Sequence, residues 1–296
     1  MPAMEQSPVM PVPLSAERMH AICRRLPPFP PLATQLIAMF SRPDADLYGA
    51  VALIRSDAVF SGELLRIANS AEFASYEPFE DVSRAVLYLG FERVQSAIRR
   101  ITYARLMREA FNHEFALQIH RNNLASALIC ENLISCFGFG DELEDLCPYS
   151  LGLYLKIGAL VLLRAFPAHY PRFLCTRVSS QADLLATERT LFGFDHVAIS
   201  RHLVEHWEFP ESFQKMVSVH AQPLNGTAHM TMTAGAHFAS QLAGALGFSF
   251  LKALPYPSFD ELVAQLPDSG KSDFPRDPKA WKDRINLHLE EISLKH

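Results

Sequence analysis

Little in this sequence belongs to a fibrous, disulfide-bonded or membrane-spanning architecture. Cysteine occurs five times, an odd number with no CxxC pair, which excludes a disulfide scaffold, a zinc ribbon and a thioredoxin-type redox motif. Cys23, Cys130, Cys136, Cys147 and Cys175 read as reduced, small apolar residues. Glycine is scarce at 13 of 296 residues, so collagen-like and low-complexity architectures fall away. Neither sign of charge dominates: 27 Lys and Arg against 32 Asp and Glu leave a formal charge of -5. Such a chain is not built to coat nucleic acid or an anionic membrane. The longest apolar stretch, Leu151 to Leu163, is interrupted by Lys156 and is too short to cross a bilayer. The common catalytic signatures are also missing: there is no Walker loop, GxGxxG, GxSxG or HExxH. The proline-studded start has no basic-then-apolar run, so residues 1–14 are expected to be a disordered leader and the protein cytoplasmic.

What is present is apolar material in helical register. Hydrophobic residues make up 49% of the chain and include 21 phenylalanines, enough to bury a sizeable core. Asp46 and Asp57 stand where helix N-caps are wanted, ahead of LYGAVALIRS and AVFSGELLRIANS. Gly90 closes SRAVLYLG, and the next helix, FERVQSAIRRITYARLMREAF, turns Val94, Ile98, Ile101 and Leu106 inward and most of its arginines outward. A long helix is predicted from Glu114 to Phe137. One helix is predicted from Pro148 to Phe166, others over Asp183–Phe192, His196–Trp207, Pro210–His220 and His229–Leu246, and two weaker ones over Ser258–Leu266 and Pro278–Leu294. No alternating strand pattern or internal repeat is found. The expectation is an all-α, orthogonal multi-helix bundle. Val94, Ile98 and Ile101 are expected to pack on the stripe of Glu114–Phe137, joining residues 15–111 and 112–247 into one unit, with 248–296 as a helical extension.

One set of motifs is specific. LPPFPPLATQLIAMFSRPDADLYGAVALIRSDAVFSGELLRIANSAEF, then VSRAVLYLGFERVQS, LGLYLKIGALVLLRAFPAHYP and ERTLFGFDHVAISRHLVEHWEFPESFQKMVSVH, follow one another in the order of an HDOD domain. The chain resembles this bacterial HD-related output domain over about Leu26 to Gly247, and the domain as a whole is set at 15–247. The resemblance implies an HD-domain, phosphodiesterase-like fold and a relationship to HD-type phosphohydrolases. Those enzymes hold one or two divalent metals with a histidine, an adjacent His-Asp pair, further histidines and a last aspartate, and use them to activate water and neutralise a phosphoryl group.

Aligned by motif, the first histidine falls on Asn122, the His-Asp pair on Leu155 and Lys156, and the last aspartate on Ser240. His196 and His220 match two other histidine positions. An ammonium at Lys156 would repel a dication, and an asparagine oxygen with two histidines cannot make a dinuclear site. No metal, no cofactor and no catalytic residue are therefore expected. Lys156 is expected either to pair with a buried acid such as Glu188 or Asp195 or to sit as a surface lysine on an amphipathic helix. His202, Glu205 and His206 share a helix face that is expected to be solvated. Lys156, Arg99 and Arg100 are candidate contacts for an anion or a partner. The resemblance implies a non-catalytic regulatory module of bacterial signal transduction that binds a protein partner. The alternatives are a residual metal phosphohydrolase on a nucleotide or cyclic dinucleotide, and a metal-free nucleotide sensor. Neither nucleic acid nor membrane is an expected partner.

Overall fold

Asp46 accepts a hydrogen bond from the Tyr48 amide, and Asp57 accepts from the amides of Val59 and Phe60, so each begins its helix as the sequence requires. These and all other elements come from a computed structural model. It describes residues 16–23, 31–40, 46–70, 77–110, 114–137, 148–207, 209–222, 230–251, 253–268 and 270–293. The leader and the acidic loop DELEDL lie outside them, as does the Leu106 side chain.

The chain runs α1 (Ala16–Cys23), α2 (Pro31–Phe40), α3 (Leu47–Arg55), α4 (Ala58–Ala68), α5 (Val82–Ala110), α6 (Glu114–Phe137), α7 (Pro148–Tyr154) and α8 (Ile157–Ala165). It continues with α9 (Tyr170–Leu174), α10 (Gln181–Phe192), α11 (His196–His206), α12 (Glu211–Val219), α13 (Met232–Ala245), α14 (Phe259–Ala264) and α15 (Pro278–Ser293). Among the described residues the regular structure is helical, and the one β contact is an isolated bridge between Arg177 and Ala253. The chain is an all-α bundle.

Three sequence expectations are corrected. The helix expected over Pro148–Phe166 is two helices, because the backbone turns at Leu155-Lys156, where Lys156 takes φ -116, ψ 28. The apolar pattern runs on through this turn, so periodicity could not mark it. The second is α5, which packs chiefly on α4, α3 and α2 and less on α7 and α6. Val94, Ile98 and Ile101 are buried on this helix, whose contact with α6 is slight. The third is Arg99, expected outward but buried at 1% exposure beside Phe213. Gly90, where a helix end was read, breaks α5 with a left-handed φ of 72.

The site is positioned by close helix approaches. On Gly152 of α7 a Cβ would strike the backbone of Ala127 in α6, and on Gly158 of α8 it would strike the His196 carbonyl and Ser200 in α11. Gly158 also donates its amide to Ser200 Oγ at 2.8 Å. With α13 against α6 and α12 against both α11 and α13, these contacts bring the α7–α8 turn, the start of α11 and the end of α12 beside the middle of α13.

Candidate functional site

Lys156 is wholly buried, and its Nζ donates to Ser240 Oγ on α13 at 2.6 Å. The predicted acidic partner is not there. Glu188 and Asp195 are engaged elsewhere, so the turn delivers the ammonium to a hydroxyl instead of a carboxylate. Nor is Lys156 a surface residue. Its stem and head lie in the core, with Nζ 5.8 Å from the centre of the Phe250 ring. Burial without a counter-charge penalises the ammonium and pushes its pKa down to about 7.

Glu188 serves His196. Its Oε2 accepts from the His196 amide at 2.9 Å and from Nδ1 at 2.7 Å, and its Oε1 accepts the Tyr170 hydroxyl at 2.7 Å. Burial, with the Glu188 carboxylate beside it, holds the Tyr170 pKa well above its ordinary value. Asp195 caps α11 through the Ala198 amide and pairs with Arg189 at 2.5 Å. Two acids next to one histidine thus have separate tasks, one orienting the ring and one starting the helix.

His220, at the end of α12, donates Nδ1–H to the Val217 carbonyl at 2.8 Å. Its ring centre lies 6.1 Å from that of His196. Burial, then the charge of Lys156, then His196, keep its pKa well below the usual imidazole range. With Nδ1 donating, the Nε2 of a neutral ring carries a lone pair. Both Nε2 atoms are buried without a hydrogen-bond partner. Asn122 donates Nδ2 to the Phe248 carbonyl at 2.5 Å, while its Oδ1 is likewise buried and unpartnered. Leu155 is fully buried and contributes only hydrocarbon.

The structure therefore gathers Lys156, Ser240, His196 and His220 into one buried cluster and sets Asn122 at its edge through Phe248. Phe250 was absent from the sequence reading. Its ring meets His196 edge-on at 5.2 Å, and no motif pointed to it. The two other candidate anion contacts have different neighbours: Arg99 donates to Gln95, and Arg100 stacks on Tyr149 at 4.6 Å. On α11, His206 is exposed while His202 is half-buried. His20 of α1 meets both rings edge-on, at 5.9 Å from His202 and 5.4 Å from His206, so this face is only partly solvated.

Orphaned Nε2 atoms with anchored Nδ1 atoms are the arrangement that metal-ligating histidines show. The rest of the donor set does not follow. Among the described residues no three His, Cys, Asp or Glu side chains are placed to hold a metal ion. No described helix is long and apolar enough to cross a membrane.

Comparison with known proteins bears on the family and the fold. An uncharacterized protein of Treponema pallidum (strain Nichols) is 22% identical over 205 residues, which are 68% of this chain and 39% of that protein. The chain thus spans about two fifths of that relative's length. Among solved structures, an HDOD domain protein of unknown function from Geobacter sulfurreducens is 18% identical with a TM-score of 0.62, covering 94% of this chain and 97% of that one. A candidate metal-dependent phosphohydrolase from Shewanella amazonensis SB2B is 21% identical with a TM-score of 0.56, covering 84% and 86%. A candidate signal transduction protein from Marinobacter aquaeolei VT8 is 19% identical with a TM-score of 0.63, covering 94% and 65%. At these identities the likeness is one of fold. The HDOD domain profile matches residues 26–223, two thirds of the sequence and every helix that builds the cluster except α13, and the chain belongs to the HDOD domain family.

Proposed function

We propose that this protein is a non-catalytic signalling module in which the HD metal site has been replaced by a buried lysine, and that it acts by binding a protein partner. The observation that carries this reading is the Lys156–Ser240 hydrogen bond at 2.6 Å inside a fully buried pocket. Where an HD enzyme holds a carboxylate on a dication, this chain would put an amine on a hydroxyl. The amine fills the space and donates a hydrogen bond across it, so the α7–α8 turn and α13 are bridged without a metal. A carboxylate-free donor set of two imidazoles and an amide oxygen cannot neutralise two divalent ions or the charge developing on a phosphoryl group. Family membership and the likeness to a candidate signal transduction protein support the signalling class, while fold alone does not supply a partner.

The orphaned Nε2 atoms favour one competing reading, a residual mononuclear phosphohydrolase on His196 and His220. Elemental analysis together with hydrolysis of a bis-nitrophenyl phosphate in added manganese separates the two. The proposal expects substoichiometric metal and no turnover above buffer. Bound metal with turnover that disappears in His196→Asn would establish the enzyme instead.

A further inference from the structure

Phe250 lies outside the residues that match the HDOD profile, yet its ring is part of the cluster at the centre of that domain. The chain leaves α13 through Gly247, whose φ of 89 turns it sharply, and crosses the first turns of α6. Phe248 closes the helix end with its amide on the Ala243 carbonyl. Beyond that point two side-chain amides of α6 hold the segment. Asn122 Nδ2 donates to the Phe248 carbonyl, and Gln118 Nε2 donates to the Ser249 carbonyl at 3.1 Å. Within the segment, Ser249 donates its hydroxyl to the Leu251 carbonyl at 2.6 Å. On the inner side, the Phe250 ring covers Lys156 and His196, and through His196 the ring of His220. Beside the segment is a cleft of about 410 Å³, lined by Glu114, Leu117, Arg121, Gly247, Phe248 and Ser249. The segment therefore stands between a buried set of nitrogen groups and an open cleft that its own Phe248 and Ser249 help to line.

We propose that Phe248–Leu251 is an intramolecular plug: the Phe250 ring seals the Lys156–His196–His220 cluster, and displacement of this segment into the adjoining cleft is the local opening that exposes Lys156. The plug holds whether or not the cluster binds a metal, so it stands apart from the non-catalytic reading. A partner that reaches the cluster must first move this segment, and occupation of the cleft from outside would lock it closed. The segment is held by the two α6 tethers and by the buried Phe250 and Leu251 side chains, and a unit this short opens at a smaller free-energy cost than the whole bundle.

The test is labelling of the intact protein with acetic anhydride, followed by peptide mass spectrometry. The neutral Lys156 amine takes the acetyl group, and acetate and the proton leave. Exposed Lys279 serves as the internal standard, and buried Cys130 of α6, labelled in parallel with iodoacetamide, reports opening of the whole bundle. In Phe250→Ala the Lys156 rate should rise at least tenfold while Cys130 changes by less than twofold. In Gln118→Ala, which leaves the ring in place, Lys156 alone should accelerate by a smaller factor. Should Phe250→Ala fail to fold, Gln118→Ala decides by the same criterion. Equal acceleration of Lys156 and Cys130, or no acceleration of Lys156 in a folded variant, would overturn the plug.

Discussion

Replacing Lys156 by methionine tests how the cluster is charged. Methionine keeps most of the length and removes the amine, so the stability difference between the two proteins isolates Lys156 from every other titrating group. In the folded chain burial lowers the Lys156 pKa from 10.5 to about 7. The fold therefore penalises the ammonium, and the sign follows. Below pH 7 both folded and unfolded chains carry the proton, and the penalty is complete. Between pH 7 and 10.5 the unfolded chain binds the extra proton, so stability rises with pH. The full penalty corresponds to about 5 kcal/mol, of which about 2 kcal/mol is relieved between pH 7 and pH 9. Urea unfolding at several pH values should show wild type gaining that amount relative to Lys156→Met across this window. At pH 7 the methionine protein should be at least as stable as wild type, because the apolar replacement offsets the cost of about 1–3 kcal/mol for leaving the Ser240 hydroxyl unpaired. Parallel pH profiles for the two proteins would refute the buried, uncompensated amine, as would a loss of more than about 3 kcal/mol in Lys156→Met at pH 7.

Gly158→Ala forces a Cβ onto the His196 carbonyl and Ser200, and the rigid backbone there cannot yield as a side chain would. It should cost at least about 1–3 kcal/mol in denaturant unfolding. Asp57→Ala removes the carboxylate oxygen that accepts from two amides at the start of α4, along with the Arg105 contact, and should cost about 1–2 kcal/mol by the same measurement. Burial, then His20, lower the His202 pKa, with Glu205 opposing and His206 adding to the effect. A histidine held neutral by the fold stabilises less as pH falls through its unfolded value near 6.5, so stability should decline between pH 7 and 5 and decline less in His202→Gln.

The parts of the fold that local chemistry writes were legible in the sequence. Asp46 and Asp57 start their helices because a carboxylate beside orphan amides has one good use, and Gly90 breaks α5 because a left-handed residue cannot continue it. Glu114–Phe137 was read as one helix from its apolar stripe, although His120, Asn122, Asn123 and Ser126 are buried on it too. The turn at Leu155-Lys156 was not readable, since its causes are distant: Ser240 lies 84 residues away and draws the amine inward. Arg99 shows the same limit, as an arginine at a polar-looking helical position is turned inward beside Phe213 by packing that the local pattern does not encode. At the site, motif order named Asn122, Lys156, His196, His220 and Ser240; the last four lie together in the fold, and Asn122 reaches the Phe248 carbonyl. Glu188 and Asp195 were the acids offered as one alternative for Lys156, because opposite charges are the simplest pairing. In the fold Glu188 stands next to His196 and Tyr170, and the lysine is left with a hydroxyl. Phe250 carried no signal, because an aromatic residue after a helix end reads as ordinary core.

Manganese binding followed by electron paramagnetic resonance bears most directly on the replacement of the metal site by Lys156. Free hexaaqua manganese gives a sharp six-line spectrum that is lost on coordination to protein. With the intact chain at neutral pH, all added manganese should keep that spectrum, and Lys156→Asp should begin to bind it weakly, since it restores one carboxylate beside His196 and His220. One tightly bound manganese per chain in the wild-type protein, released by His196→Asn, would contradict the account.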